Sequence, residues 1–181
     1  MVANFVPESL GVLFQAENGV IGLGARPREG LKVRHLTDAC GGLVTAVPGA
    51  ASIDAAMSFG LIRARHLHMT VIGGLHVDES GHLANWKVPG KMVPDMGGAM
   101  DPVTGAARVI VVMQHLAKGQ SKIVPICTLP LTALRRVGLM VTDFAVLEPT
   151  GVGLVLRERL SLTGRARRSR PARRGWSRKA A

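Results

Sequence analysis

Residues 10–24 read LGVLFQAENGVIGLG, a stretch that combines an apolar run, one carboxylate and several glycines. The apolar run Val12–Phe14 predicts a short buried strand. Glu17 follows the end of this strand, and Asn18-Gly19 is a strong turn signal. In an open α/β sheet, ligands bind beyond the carboxyl ends of the strands. A lone carboxylate in that position suits attack on a carbonyl group, or stabilisation of one.

The glycines of this stretch admit two interpretations. Gly22 and Gly24 allow either a close backbone approach to a ligand or a positive φ. Alternatively, Glu17 is a solvated loop residue and the glycines only form turns, which spacing alone favours. Their order, G-x-x-G-x-G, also differs from the G-x-G-x-x-G fingerprint of dinucleotide sites, so the pattern predicts neither NAD nor FAD.

Composition limits the class of protein. The chain has 181 residues, enough for one domain with its own core. Hydrophobic residues make up 47% of it and aromatic residues only 3%, with no Tyr, so the core must be aliphatic. The scarcity of aromatic residues argues against a nucleic-acid module that stacks bases.

The net charge of +11 has a local source. Eight of the 23 Lys and Arg residues lie within residues 164–181, which contain no acid. We therefore predict one domain over residues 1–163 and a disordered basic tail over 164–181. This tail is interpreted as an out-of-frame end or as a tether for nucleic acid, whose binding would depend on salt; the sequence favours the first.

Cys40 and Cys127 do not form a disulfide framework, which suits a reducing cytosol. We expect both to be buried thiols and not nucleophiles, because no His pairs with them in a known spacing. No basic leader precedes the first apolar residues, and no apolar run reaches the length of a membrane span. The sequence thus predicts a cytoplasmic protein without a membrane partner.

Apolar runs predict a series of strands, at residues 12–14, 44–47, 69–72, 108–113, 123–126, 139–142, 144–147 and 154–156. Residues 75–77 and 83–86 flank a turn and predict a hairpin. The continuous run Met69–Ile72 is typical of a strand buried on both faces. Pro48-Gly49 is expected to close the strand before it.

Helices are predicted to be few and short. Residues 52–62 predict a helix with Ser52 as N-cap and with Met57 and Ile62 on its inner face, and Gly98 opens another. These elements predict an α/β fold: an open, mainly parallel sheet with flanking helices and an antiparallel extension.

Histidines and acids cluster in the middle of the chain, at His66, His68, His76, Asp78, Glu79 and His82. Their spacing resembles no compact zinc signature. The sequence therefore predicts no metal site.

Residues 17–24, ENGVIGLG, resemble the E-N-G-φ-φ-G-x-G signature of the beta subunit of 3-oxoacid CoA-transferases. This family includes the succinyl-CoA:3-ketoacid and 3-oxoadipate CoA-transferases. Further blocks match in the same order, at residues 47–50, 58–59, 62–63, 73–75, 83–86, 88–93, 96–101 and 127–132. The resemblance covers residues 2–156 and implies the CoA-transferase fold, which is NagB/RpiA-like. It also implies a chain that lacks the family's N-terminal strand and glycine loop.

The resemblance assigns roles to particular residues. Glu17 would be the nucleophile that forms a glutamyl-CoA thioester, and the backbone amide of Gly98 would stabilise the oxyanion. Residues expected to contact substrate or CoA are Asn18, Gly19, Asn85, Lys91 and Gly97. A glutamate carboxylate is ionised near neutral pH and needs no general base. No cofactor is implied, because the CoA thioester is itself the substrate.

The implied reaction moves CoA from an acyl-CoA such as succinyl-CoA to a 3-oxo acid such as acetoacetate, with ping-pong kinetics. The implied partner is an alpha subunit, in a heterotetramer. Some positions depart from the family pattern, such as Ala16 in place of Ser and Pro102 in place of an apolar residue. Two alternatives follow: an inactive remnant that retains only the subunit interface, and a basic nucleic-acid-associated protein.

Overall fold

A computed structural model describes residues 2–90 and 97–160, and the chain forms two compact units, residues 1–64 and 65–181. The elements of the first unit are the 3₁₀ helices Val2–Asn4 and Glu8–Leu10, strands β1 Gln15–Ala16, β2 Val20–Leu23 and β3 Ala46–Ser52, and helix α1 Ala55–Arg63. The basic tail 164–181 lies outside the described residues.

The second unit holds ten strands and two short helices within its described residues. In chain order they are β4 Met69–Ile72, β5 His76–Asp78, β6 Leu83–Ala84, the 3₁₀ helix Gly97–Ala99, α2 Met100–Gly105, β7 Arg108–Val112, β8 Leu116–Ala117, β9 Gln120–Ser121, β10 Ile123–Val124, β11 Leu139–Val141, β12 Ala145–Thr150 and β13 Gly153–Arg159.

The first unit is built on a three-stranded antiparallel sheet in the order β1-β2-β3. The buried core beneath it consists of Ala3, Ala16, Val20, Leu23 and Val44, with Phe14 and Leu36 packed against it. The predicted strand Val12–Phe14 is wrong, since Val12 and Leu13 are 52% and 66% exposed and pairing begins only at Gln15. The turn at residues 17–19 sets the register, and it leaves the apolar run before the paired segment.

Strand β3 runs through Pro48-Gly49, which the sequence was expected to place at a strand end. Ile21 pairs with Ala51 and Leu23 with Ala46, so residues 47–50 bulge opposite the single residue Gly22. Proline cannot donate to a ladder, but an edge strand with a bulge has room for it. Tertiary pairing therefore extends a strand across a local stop signal.

Helix α1 begins two residues later than the Ser52 cap predicts. Asp54 is the N-cap, and its carboxylate accepts a hydrogen bond from the backbone N–H of Met57 at 2.8 Å. Met57 was assigned to the inner face but is 55% exposed, whereas Ser58 and Ile62 are buried. The shift of the helix start rotates the inner face by one residue.

The main sheet of the second unit has the order β13-β12-β11-β7-β4. Strands β4, β7 and β11 are parallel, and β12 and β13 extend the sheet antiparallel. The predicted α/β fold with a parallel sheet and an antiparallel extension is confirmed. One detail is wrong: Met69 is 48% exposed because β4 is an edge strand and not a central one.

A second sheet has the order β10-β5-β6 and contains the predicted hairpin. Strand β10 joins β5 in parallel. A single cluster of aliphatic side chains lies in both sheets: Val77, Leu83, Val103, Val109, Val111, Met113, Val137 and Met140. Within residues 2–90 and 97–160, no helix is long and apolar enough to cross a membrane.

Candidate active site

Glu17 lies in the tight turn that joins β1 to β2. The backbone N–H of Gly19 donates to the carbonyl of Ala16 at 3.0 Å, so Glu17 and Asn18 are the central residues of a β-turn. Gly19 has a φ of +114° and ends a three-residue hairpin loop, as expected of such loops. Glu17 is half-buried in this loop. A short, hydrogen-bonded turn holds the backbone of the carboxylate in one place.

The neighbours of Glu17 in the turn are bonded to other parts of the first unit. Asn18 donates its side-chain N–H to the carbonyl of Thr37 at 3.0 Å. The carbonyl of Gly19 accepts from the N–H of Ile53 at 2.9 Å. These bonds show how the protein uses Asn18 and Gly19, both expected to contact substrate. They anchor the loop on each side of Glu17.

The glycines of the ENGVIGLG stretch allow close contact between chain segments. A Cβ on Gly19 would overlap the carbonyl oxygen of Ile53, and one on Gly24 would overlap the hydroxyl of Thr45. Gly22 has a φ of +81°, and a Cβ there would lie 2.9 Å from the Cα of Ala50. Packing against β3 and the segment before it thus requires glycine at all three positions.

Helix α1 braces the turn from below through Ser58. Gln15 donates its side-chain N–H to the Ser58 hydroxyl at 2.9 Å, and this hydroxyl lies 3.5 Å from the carbonyl of Ala16. Ser58 is fully buried. Sequence reasoning did not assign it to the site, although it is a polar residue one turn before Ile62 on the inner helix face. A polar residue at a core position of a helix was the available signal.

Gly97 and Gly98 form the 3₁₀ helix that leads into α2, so the predicted helix start is confirmed. Pro102 and Val103 of α2 are buried, and the departure from the family pattern at Pro102 is accommodated in the core. The role of the Gly98 amide stays a prediction. Lys91 lies outside the described residues.

Asn85 lies just after β6 and is tied to Thr132. The Thr132 hydroxyl accepts from the backbone N–H of Asn85 at 3.0 Å and donates to its side-chain Oδ1 at 2.6 Å. Beside it, the indole N–H of Trp86 donates to the carbonyl of Leu131 at 3.2 Å. Two sequence blocks 47 positions apart, LANW and CTLPLT, therefore meet through their polar groups.

The acid and histidine cluster has a structural use around Asp78. This buried carboxylate accepts backbone N–H bonds from Ser80 at 3.0 Å and His82 at 2.9 Å, and it pairs with the His82 ring at 3.0 Å. Burial raises the pKa of Asp78, but the hydrogen bonds from His82 and Cys127 outweigh it and hold the pKa below its ordinary value. In the described part of the chain, no group of three or more His, Cys, Asp or Glu side chains could hold a metal ion.

The two thiols differ. Cys127 is half-buried, and burial raises the pKa of its thiol to about 11, so it is a poor nucleophile near neutral pH. Cys40 is exposed, and the expectation that it is buried is wrong. It lies in the polar connection between β2 and β3, where the chain has few apolar neighbours to cover it.

Comparison with known proteins identifies the class. Residues 1–162 match the Coenzyme A transferase family. Over 149 residues the chain is 52% identical to the beta subunit of the acetate CoA-transferase of Escherichia coli, covering 81% of this chain and 67% of that protein. It is 44% identical over 159 residues to the B-type subunit of a probable succinyl-CoA:3-ketoacid coenzyme A transferase of Bacillus subtilis, covering 87% of this chain and 74% of that one.

Solved structures agree on the fold. An acyl-CoA transferase of Escherichia coli superposes with a TM-score of 0.58 at 17% identity, covering 80% of this chain but only 29% of that one. The chain belongs to the Coenzyme A transferase family. More particularly, the relatives it matches are named as beta-type or B-type subunits, so the resemblance drawn from the ENGVIGLG stretch is confirmed.

Proposed function

We propose that this chain is the catalytic beta subunit of a 3-oxoacid CoA-transferase and that Glu17 is its nucleophile. The observation that carries the proposal is the turn at residues 16–19, which holds a single carboxylate between anchored neighbours. A fixed nucleophile needs little reorganisation to reach a bound carbonyl group, and positioning of this kind supplies a large share of catalysis.

The reaction proceeds in two half-reactions. The Glu17 carboxylate attacks the thioester carbonyl of succinyl-CoA, which releases CoA thiolate and leaves a mixed anhydride. The thiolate attacks the glutamyl carbonyl of that anhydride, which releases succinate and leaves a glutamyl-CoA thioester. Acetoacetate then attacks this thioester, releases the thiolate again and forms a second anhydride. Attack of the thiolate on its acetoacetyl carbonyl gives acetoacetyl-CoA and restores Glu17.

Each attack places negative charge on a carbonyl oxygen, and a prepositioned donor stabilises that charge. We assign one such donor to the backbone N–H of Gly98. Loss of a donor of this kind typically slows a reaction about 10²- to 10³-fold. No acid, base, metal or cofactor takes part in the proposed sequence, because the carboxylate and the thiolate are both ionised nucleophiles.

The proposed partner is an alpha subunit of the same transferase, in a heterotetramer in the cytoplasm. The support is that the related proteins are named as one subunit of a pair of types. Their names also differ in the acid that they activate, acetate in one and a 3-keto acid in the other. The substrate therefore has to be found with a panel that contains acetate, acetoacetate and 3-oxoadipate.

The decisive experiment traps the covalent intermediate. The chain is coexpressed with an alpha subunit, incubated with succinyl-CoA, and treated with borohydride or hydroxylamine, which attack a glutamyl thioester. Mass spectrometry should find the modification on the peptide that contains Glu17. The Glu17→Gln variant should show neither the modification nor transfer, while the exposed Glu29→Gln variant should match the wild type.

Two outcomes would refute the proposal. Full transfer activity in Glu17→Gln would remove Glu17 as nucleophile. A complex that assembles with the alpha subunit and yields neither adduct nor product, with any acid of the panel, would identify a remnant that keeps only the subunit interface.

A further inference from the structure

Thr132 is a buried polar residue with no role in the reaction described above. It is 1% exposed, and its backbone N–H donates to the carbonyl of Leu83 at 2.7 Å. The next residue, Ala133, forms a bridge with Leu83. The backbone on both sides of the Thr132 hydroxyl is therefore fixed to the end of β6, and the hydroxyl has one position.

The hydroxyl makes two bonds to the same neighbour. It accepts from the backbone N–H of Asn85 at 3.0 Å and lies 2.6 Å from Asn85 Oδ1. A distance of 2.6 Å is normal for an O–H···O bond but short for an N–H···O bond. Because the hydroxyl has a single proton, that proton points to Oδ1, and this fixes which end of the amide faces Thr132.

The orientation of the Asn85 amide has a chemical consequence. Its oxygen is engaged by Thr132, so its Nδ2 group, with two N–H donors, points the other way. Among residues 2–90 and 97–160, the hydrogen bonds of the Asn85 side chain involve only its oxygen. The amide is thus held as a donor of defined direction, suited to a carbonyl or phosphate oxygen.

We propose that Thr132 is a positioning residue that holds the Asn85 amide as a hydrogen-bond donor to the CoA part of the substrate. This inference rests on the proposed CoA-transferase function, in which Asn85 contacts CoA. Thr132 does not touch the substrate. It prevents the amide from rotating, so the cost of ordering Asn85 is met by folding and not by binding.

The test compares Thr132→Val, Thr132→Ser and Asn85→Ala in the complex with the alpha subunit. Valine keeps the shape of threonine but removes the hydroxyl, whereas serine keeps the hydroxyl. We expect Thr132→Val and Asn85→Ala each to raise the KM for succinyl-CoA about five- to tenfold, with kcat nearly unchanged. Thr132→Ser should restore a KM within about twofold of the wild type. The double variant should be no worse than Asn85→Ala, because both changes remove the same contact.

A matched control separates positioning from stability. Thr142 is another buried threonine of the second unit, and its hydroxyl accepts from the backbone N–H of Ala145 at 3.1 Å. Thr142→Val should lower the melting temperature about as much as Thr132→Val does, with an unchanged KM. Equal KM values for these two variants would overturn the proposal. Additive effects of Asn85→Ala and Thr132→Val, or a serine variant as impaired as the valine one, would also overturn it.

Failure of the proposed function leaves this inference testable. If the wild-type complex transfers no CoA, the equilibrium binding of CoA itself is measured by calorimetry. Thr132→Val should then weaken CoA binding about five- to tenfold, and Thr132→Ser should not. Unchanged binding of CoA by Thr132→Val would refute the role of Thr132, whatever the catalytic result.

Discussion

The side chain of Gln15 donates a hydrogen bond to the hydroxyl of Ser58 at 2.9 Å, and it joins the strand before the Glu17 turn to helix α1. The same hydroxyl lies within 3.5 Å of the carbonyl of Ala16. One buried serine thus holds both residues of β1. The position of the proposed nucleophile depends on a residue that lies on a different element of the first unit.

Ser58→Ala should destabilise the protein by about 1–3 kcal/mol, because it leaves the buried side of Gln15 without its partner. Transfer activity of the complex should also fall, since the turn that carries Glu17 loses its brace. Chemical unfolding gives the stability change, and steady-state kinetics give the activity. The exposed Ser52→Ala is the matched control and should change neither. A Ser58→Ala variant as stable as the wild type would contradict the bracing role.

Gly19→Ala should be far more damaging than Gly30→Ala, although both glycines have positive φ, +114° and +86°. At Gly30 a Cβ meets nothing within 4 Å, so only backbone strain of about 1–2 kcal/mol is expected. At Gly19 a Cβ would overlap the carbonyl of Ile53, and the strain adds to a displaced turn. Melting temperatures of the two variants check this. Equal losses would show that the loop can move away from Ile53.

The fold was largely predictable because the central strands carry their own signal. The run at Arg108–Val112 and the hairpin around Asp78 formed where their patterns predicted. Errors arose where pairing overrides local signals: Pro48 lies inside a strand because a bulge accommodates it, and Val12 lies outside one because the turn sets the register.

The candidate site was predictable only in part. The ENGVIGLG motif identifies Glu17 because the nucleophile and its turn are adjacent in sequence. Ser58 and Thr132 were missed, because each partners a residue 43 or 47 positions away and a lone polar side chain carries no signal of its partner. Such contacts become visible only when the chain is folded.

Asp78 should make stability depend on acid pH. Its folded pKa is below the ordinary value of about 3.9, so the unfolded state binds a proton first as the pH falls. The contribution of Asp78 is therefore complete above about pH 5 and is lost as the pH falls towards the folded pKa. Urea unfolding of the wild type between pH 7 and pH 3 should show this loss.

Asp78→Asn should be less stable at pH 7 and should show a flatter acid limb, because the titrating carboxylate is gone. The neighbouring exposed Glu79→Gln is the control and should keep the wild-type slope. If Asp78→Asn kept the full acid dependence, other carboxylates would be responsible for it.

The two cysteines should react at very different rates in the native protein. Cys40 is exposed, so a thiol reagent reaches its sulfur directly. Cys127 is half-buried with a thiol pKa raised to about 11, so only about 0.1% of it is thiolate at pH 8. Labelling with an aromatic disulfide reagent should release one equivalent of chromophore rapidly and a second slowly. The fast phase should vanish in Cys40→Ser, and both thiols should react together in denaturant. A single fast phase of two equivalents in the native protein would show that Cys127 is open and ionised, in conflict with its hydrogen bond to the His82 carbonyl at 3.3 Å.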